Sequence, residues 1–306
     1  MNVREWALPV YTILMQMSVG VLFVLWVIRL LASSRFRPGD IEQIVQIPIL
    51  VVFFTAAVAM VASHFHLSRP LLSFLAILNF KSSWLSREIV FSILFILMLS
   101  VLLYLTYFRK KSRTLITVLG FLAIFTGGVT VYCMARIYLL PTQVAWNSIS
   151  VIVAFYTTTL LLGAIALACL MVLDLKFVEI QKIGDVDLRV DLIQYSLGGL
   201  TILIMALAFI SVAIINIQMY LLSQSGLIAR TSLMLLLELY FPFLVIRQVL
   251  LVGAALLLGY AVFRMYQLKL KPQTILLPIY LSCLLILVGE IFGRFLFYAT
   301  HIRVGL

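Results

Sequence analysis

Three charged side chains, Arg247, Glu290 and Arg294, lie inside hydrophobic segments of this sequence. The uncharged run at 248–263 has 16 residues, and the run at 273–289 has 17. A helix that spans a membrane needs about 20 mostly apolar residues, so each segment must draw its neighbouring charges toward the membrane. Charges at that depth normally face protein or a water-filled cavity and serve a function. The sequence therefore predicts a polar site inside the membrane.

Further polar side chains lie near the corresponding ends of other hydrophobic segments. Gln16 lies in the N-terminal half of the first segment, and His64 and His66 lie at the end of the second. Glu88 lies at the start of the third, and His301 follows the last. Together with the three charged residues, this one-sided placement predicts a single site at one membrane face.

The histidines and cysteines do not form a recognisable metal site. His64 and His66 are two residues apart and so point to nearly opposite faces of a helix. A transmembrane haem needs histidines from facing helices, and only His66 with His301 could be considered, so haem is not expected. The cysteines lie singly in three segments and cannot hold an iron–sulfur cluster by themselves: Cys133, Cys169 and Cys283.

His66 and Glu88 have the chemistry that oxidation of a lipid quinol requires. A quinol loses two electrons and two protons, so its site needs hydrogen-bonding groups and a titratable acceptor. Imidazole and a partly buried carboxyl group can both accept protons near neutral pH. The two residues bracket one loop, and we expect them to face one cavity as the catalytic pair.

Structural roles could also explain several of these residues. Glu290 and Arg294 are four residues apart, share a helix face and could form an internal ion pair. Arg247 could extend its guanidinium toward lipid phosphates. Any of the histidines could instead close a helix end with a hydrogen bond. The sequence alone leaves these alternatives open.

The composition places these residues in a polytopic membrane protein. Of the 306 residues, 64% are hydrophobic and 11% charged, and the mean hydropathy is +1.20. A soluble core of this size could not bury so much apolar surface. The apolar runs are continuous, which predicts an all-α bundle of eight transmembrane helices in one domain, 1–306. The predicted spans are 8–28, 44–63, 89–108, 114–134, 150–173, 193–217, 239–263 and 274–298. The first is too long for a signal peptide and is predicted to be retained.

The basic residues predict the orientation of this bundle. The net charge is +11, but the Lys and Arg residues lie mostly in short loops, so no nucleic-acid partner is expected. They are more numerous in the loops after spans one, three, five and seven, with the densest cluster at 109–113. The positive-inside rule places those loops in the cytoplasm and both termini in the periplasm. The charged stretch 174–191 is predicted to be a solvated cytoplasmic loop, and 71–80 an interfacial or re-entrant helix.

Five motifs resemble a known family of membrane subunits. HLSRP at 66–70, NFKSSWLSREI at 79–89 and GEIFGRFLFY at 289–298 are similar to the dimethyl sulfoxide reductase membrane anchor subunit, the DmsC family. EWALPVYTILMQ at 5–16, and ARIY at 135–138 followed by Trp146, fit the same pattern. The resemblance covers essentially the whole chain.

The resemblance implies a function and a set of partners. Members of this family are haem-free anchors in the bacterial inner membrane that oxidise menaquinol. They bind an iron–sulfur electron-transfer subunit and a catalytic molybdopterin subunit, and the remaining surface contacts membrane lipid. By resemblance, His66 and Glu88 match the quinol-site histidine and glutamate. The pattern has glycine where Ser68 stands, and Arg69 adds a charge at the rim of the site. The expected quinol-binding residues are His64, Arg69, Gln16, Arg247, Glu290 and Arg294.

Two other functions compete with quinol oxidation. In a secondary transporter or channel, Arg247, Glu290 and Arg294 would line a path across the membrane. Transporters carry polar residues along the midplane and broken helices in matched halves, whereas the ionisable residues here crowd one face. The chain could also be a purely structural anchor whose histidines and glutamates lie at an interface.

Overall fold

The computed structural model describes residues 3–65, 75, 77–108, 113–181, 186–300 and 302. These ranges contain helices and no strand, in agreement with the predicted all-α class. The helices are α1 (Val3–Ala32), α2 (Pro38–Phe65), α3 (Trp84–Phe108), α4 (Arg113–Tyr138), α5 (Ile149–Gln181), α6 (Val186–Gln224), α7 (Leu227–Met234), α8 (Phe241–Gln267) and α9 (Leu276–Ala299).

Eight helices in the described ranges are long and apolar enough to cross a membrane. These candidate spans are Ala7–Ala32, Gly39–Phe65, Trp84–Phe108, Arg113–Tyr138, Ile149–Phe177, Leu188–Gln224, Phe241–Gln267 and Pro272–Ala299. Each overlaps one of the eight predicted spans, so the prediction of an eight-helix membrane bundle is confirmed. The orientation of the bundle stays a prediction.

Two helices continue beyond their apolar runs, so the prediction of a solvated loop at 174–191 is wrong. The described parts of 174–191 are helical, because α5 runs to Gln181 and α6 starts at Val186. Asp174 on α5 is buried and forms an ion pair with Arg189 on α6, at 3.2 Å. Arg189 also donates a 2.9 Å hydrogen bond to Gln43 of α2. These charges satisfy one another between helix ends instead of entering a solvated loop.

A short helical segment that the sequence did not reveal lies between α6 and α8. α7 continues directly into a π-helical turn, Leu235–Leu239. The Tyr240 N–H donates to the Leu235 carbonyl at 3.0 Å, which is the five-residue spacing of a π-turn. Pro242 follows at the start of α8, where its missing N–H does no harm.

The pair α1 and α5 forms the centre of the bundle. In both spans 67% of the most apolar stretch is buried, against 33–39% in the other six. A Cβ on Gly20 would lie 1.9 Å from the Thr159 carbonyl oxygen, and a Cβ on Gly163 would lie 2.1 Å from the Gly20 backbone. Only glycine permits this backbone contact, which is typical of small-residue packing in membranes.

Alternating helix directions bring one set of helix ends together. Tyr11 near the start of α1 contacts Ser92 near the start of α3. Tyr138 at the end of α4 contacts Phe155 near the start of α5 and Tyr298 at the end of α9. We call this region, which includes the predicted site residues, the N-terminal end of the bundle.

Candidate functional site

A buried ion pair between α8 and α9 lies at the N-terminal end of the bundle. Arg247 Nη2 lies 3.3 Å from Glu290 Oε1 and donates a 2.8 Å hydrogen bond to Ser211 of α6. Thr158 of α5 donates a 2.7 Å hydrogen bond to Glu290 Oε2. Arg247 is 8% exposed and Glu290 3% exposed. Four helices therefore converge on one carboxylate and one guanidinium, as a buried charge pair requires.

Arg294 binds different partners from those expected. Its Nη2 donates to the Gln16 side-chain oxygen, and the Gln16 amide donates to the Phe155 carbonyl at 2.9 Å. The guanidinium also lies over the Phe155 ring, 3.9 Å from its centre, where a cation is attracted to the π-face. Side chains of α1 and α5 therefore bind the Arg294 guanidinium.

One structural alternative from the sequence is wrong. Glu290 forms its ion pair with Arg247 of the neighbouring helix and not with Arg294 four residues along its own helix. The partner of Glu290 lies 43 residues away in sequence, which spacing along one helix cannot reveal. Arg247 is buried within the chain, and its reach toward lipid phosphates stays a prediction.

Two glycines on α9 allow α8 to approach this ion pair. A Cβ on Gly293 would lie 2.6 Å from Arg247 Nε, and a Cβ on Gly289 would lie 3.1 Å from a Leu251 methyl group. The two glycines are four residues apart and flank Glu290. This G-x-x-x-G spacing is common where membrane helices pack closely, and it is the sequence signal from which the α8–α9 pairing could have been predicted.

The ion pair forms part of the wall of a cavity of about 90 Å³, which we call the Arg247 cavity. Its walls come from α5, α6, α8 and α9. Ser232 of α7 and Leu236 of the π-turn cover one side, and Trp146 from the α4–α5 connection covers another. Arg247, Glu290 and Arg294 all line it. The sequence did not identify the other polar lining residues: Thr158, Ser211, Gln218, Ser232 and Thr300.

A second polar group surrounds Glu88, and we call it the Glu88 cluster: Tyr11, Glu88, Ser92 and Cys133. Glu88 is 5% exposed, and the Tyr11 hydroxyl is close enough to interact with its carboxyl group. The same hydroxyl lies 3.1 Å from Ser92 Oγ, and Cys133 of α4 is close enough to interact with the carboxyl group. Among the described residues, no cation forms an ion pair with Glu88.

Aromatic rings connect the Glu88 cluster to the Arg247 cavity. The Tyr138 ring contacts three rings that line the cavity, with centroid distances of 5.3 Å to Trp146, 5.8 Å to Phe155 and 5.0 Å to Phe297. The Tyr138 hydroxyl lies 2.6 Å from that of Tyr298. Both Glu88 and Arg294 are close enough to Tyr138 to interact with it electrostatically. The two polar groups are therefore neighbours, although the residues that line the cavity do not include Glu88 or Gln16.

The remaining predicted residues lie near the α2–α3 connection and at the C-terminus. His64 is exposed, and its Nδ1 lies 2.8 Å from the Met60 carbonyl, which is the helix-end role considered from the sequence. His66, Arg69 and His301 lie outside the described residues. Of the predicted helix at 71–80, residues 77–79 form a 3₁₀ turn, and most of the rest lies outside the described residues.

Two cysteines that are distant in sequence become neighbours. Cys169 of α5 and Cys283 of α9 lie within hydrogen-bonding reach of each other, and both are free thiols. Within the described residues, no group of three or more His, Cys, Asp or Glu side chains could hold a metal ion.

Comparison with known proteins gives two matches. Residues 1–300 match the family described as DMSO reductase anchor subunit (DmsC). The chain is also similar to the anaerobic dimethyl sulfoxide reductase chain YnfH of Escherichia coli (strain K12), with 26% identity over 168 residues. That match covers 55% of this chain and 58% of the relative's length. No solved structure matches the chain significantly.

Proposed function

The chain belongs to the DMSO reductase anchor subunit (DmsC) family, and from this premise we propose that it anchors a DMSO reductase-like complex in the bacterial inner membrane. We further propose that it oxidises a quinol, with menaquinol as the expected substrate, at the N-terminal end of the bundle. The electrons pass to an iron–sulfur subunit and then to a molybdopterin catalytic subunit. That end of the bundle faces the periplasm in the predicted orientation.

The environment of Glu88 is the observation that supports quinol oxidation most directly. The carboxyl group is buried near the end of a span, has the Tyr11 hydroxyl close by and has no ion-pair partner among the described residues. A carboxyl group held by an arginine is stabilised in its charged form, whereas one that lies near neutral hydroxyls can change its charge during a reaction. Glu88 is therefore suited to accept a proton from a quinol hydroxyl.

His66 is the proposed second proton acceptor. α2 ends at Phe65, the residue before His66 in the sequence, and α3 begins at Trp84 and carries Glu88 in its first turns. Imidazole accepts protons near neutral pH, and oxidation of one quinol releases two protons. The pair accounts for both protons, and the polyprenyl tail stays in the lipid.

The electrons require a partner. The three cysteines of this chain cannot ligate an iron–sulfur cluster that normally takes four. An iron–sulfur subunit must therefore dock within electron-transfer distance of Glu88, at the N-terminal end of the bundle. Protons and electrons then leave the quinol on the same side of the membrane, so this step alone stores little energy.

The test uses the intact complex purified with this chain. Reduction of the partner's iron–sulfur clusters by a menaquinol analogue is followed by electron paramagnetic resonance in the wild type, Glu88→Gln and His66→Ala. We expect each substitution to slow cluster reduction by about 100-fold or more, the range for loss of a general base. Chemical reduction with dithionite should reduce the clusters equally in all three.

The matched control is Glu238→Gln, which makes the same change at an exposed glutamate near the same end of the bundle. It should reduce clusters at the wild-type rate. Wild-type rates in both Glu88→Gln and His66→Ala would reject the quinol site and leave a purely structural anchor. Metal analysis of the complex tests the partners, because molybdenum together with iron is expected.

A further inference from the structure

The Arg247 cavity contains an excess of positive charge. Arg247 and Arg294 both line it, and Glu290 is the sole acidic side chain among the described lining residues. Each of the three is less than 10% exposed. A buried charge without a counter-charge is strongly unfavourable, so a negatively charged group in the cavity would stabilise the arrangement.

Arg247 also has N–H groups that make no hydrogen bond to the described residues. Its Nη2 donates to Ser211 and Glu290, but Nε and Nη1 are buried and have no hydrogen-bond partner in the described part of the chain. A guanidinium carries five N–H donors in a rigid plane that matches the oxygens of a phosphate. The Ser232 hydroxyl also lines the cavity.

The rest of the cavity is apolar. α6 contributes a row of aliphatic side chains, and Leu236 of the π-turn lies among them: Ile214, Ile215, Met219 and Leu222. Arg247 is six residues from Phe241 at the start of α8, a distance of about 9 Å along the helix. The interfacial layers of a bilayer add only about 5–8 Å to each side of the hydrocarbon core. The predicted span begins at 239, so we expect the guanidinium to lie within reach of a phosphate at the inner edge of that layer.

We propose that the Arg247 cavity binds the phosphate group of an anionic phospholipid, whose acyl chains lie along the aliphatic side chains of α6. The phosphate neutralises the excess charge and accepts from the free N–H groups of Arg247. The bound lipid joins α6, α8 and α9 beneath the cover formed by α7 and the π-turn. It is a ligand of the fold and not a substrate.

A quinol head group satisfies this cavity less well. Its oxygens are neutral, so they leave the excess charge in place. The Glu290 carboxylate already accepts from Arg247 and Thr158, and the cavity therefore offers no free carboxylate to take a proton. The lipid site and the proposed quinol site at Glu88 are separate, because Glu88 does not line the cavity, so either one can fail without the other.

The experiment measures binding to the full chain in detergent after its lipids have been removed. Trp146 lines the cavity, so its fluorescence is the signal, and a Trp146→Phe variant identifies its share among the four tryptophans. Four probes are titrated separately: dihexanoyl phosphatidylglycerol, dihexanoyl phosphatidylcholine, inorganic phosphate and a soluble naphthoquinone. We expect phosphatidylglycerol to bind most tightly, because the choline cation offsets the phosphate charge and free phosphate lacks acyl chains.

Two variants and one control assign the binding to this cavity. Arg247→Gln should weaken phosphatidylglycerol binding by about ten-fold or more through loss of charge-assisted hydrogen bonds. Ile214→Phe fills the apolar part without changing a charge or adding a tryptophan, and should also weaken binding, which keeps the test valid if Arg247→Gln fails to fold. Arg264→Gln on the same helix removes an exposed arginine at the opposite end and should bind like the wild type.

Four results would overturn the proposal. The first is equal binding of phosphatidylglycerol and inorganic phosphate. The second is a response to the naphthoquinone alone, and the third is no response to any probe. The fourth is unchanged phosphatidylglycerol binding in the folded Arg247→Gln or Ile214→Phe variant.

Discussion

Glu88 and Glu290 are two buried carboxyl groups at the same end of one bundle, and they have opposite surroundings. Glu290 meets a guanidinium and a threonine hydroxyl. Glu88 meets the Tyr11 hydroxyl, and no cation pairs with it among the described residues. The two residues are equally hidden from solvent, so burial alone does not distinguish their roles.

The difference lies in what each carboxyl group can do. A carboxylate fixed by a buried arginine is a permanent charge that holds helices together, and removal of either partner leaves the other uncompensated. A carboxyl group among hydroxyls can exchange a proton and keep its neighbours. We therefore assign the structural role to Glu290 and the proposed chemistry to Glu88.

The largest expected effect comes from making the same substitution at both positions. Glu290→Gln leaves Arg247 buried without a counter-charge and should lower the free energy of unfolding by about 3–5 kcal/mol. Glu88→Gln keeps a hydrogen-bonding group beside Tyr11 and should cost about 1 kcal/mol or less. Circular dichroism during unfolding of the chain in mixed detergent micelles measures both. Equal losses in the two variants would remove the distinction between the carboxyl groups.

A smaller effect is expected at Gly293, which makes room for Arg247. In Gly293→Ala the new methyl group would lie 2.6 Å from Arg247 Nε, so the guanidinium must shift away from Glu290. We expect a loss of about 1–3 kcal/mol in unfolding free energy, as for other overpacked sites. Gly253→Ala on α8 is the control, because its Cβ would meet nothing within 4 Å and alanine favours helix by about 1 kcal/mol. Equal stability of the two variants would contradict the close contact.

The smallest expected effect concerns Tyr138, whose ring lies between the Glu88 cluster and the Arg247 cavity. Tyr138→Phe removes the 2.6 Å hydroxyl contact with Tyr298 and should cost about 0.5–1.5 kcal/mol of unfolding free energy. Tyr132→Phe, at an exposed position on the same helix, should cost less. A double-mutant cycle with Tyr298→Phe isolates the contact, and a coupling energy of zero would show that the hydroxyls do not stabilise each other.

Hydropathy was sufficient to predict the eight spans because each contains an apolar run of nearly membrane length. The same reasoning missed α7 and the π-turn, since an apolar stretch shorter than a span carries no length signal. It also read Asp174 and Arg189 as solvated, because charge along a sequence does not show that two helix ends meet.

The site was predicted in part. Sequence position identified Arg247, Glu290 and Arg294 as buried and important, and the structure brings all three to one cavity. The pairing of Glu290 with Arg247, and of Arg294 with Gln16, depends on which helices are neighbours in space. Ser211 and Thr158 were missed because hydroxyl side chains are common in membrane helices, and only their partners distinguish these two.

The glycine contact between α1 and α5 fixes the positions of residues that lie beside both carboxyl groups. Gln16 lies one turn before Gly20 on α1, while Phe155 and Thr158 lie within eight residues before Gly163 on α5. Tyr11 extends the same face of the molecule toward Glu88. If α1 slid along α5 by a single turn, about 5.4 Å, Tyr11 would leave Glu88 and Gln16 would leave Arg294 in the same movement. The absence of a Cβ atom on Gly20 and on Gly163, each near the middle of its span, therefore fixes the geometry of both sites at once.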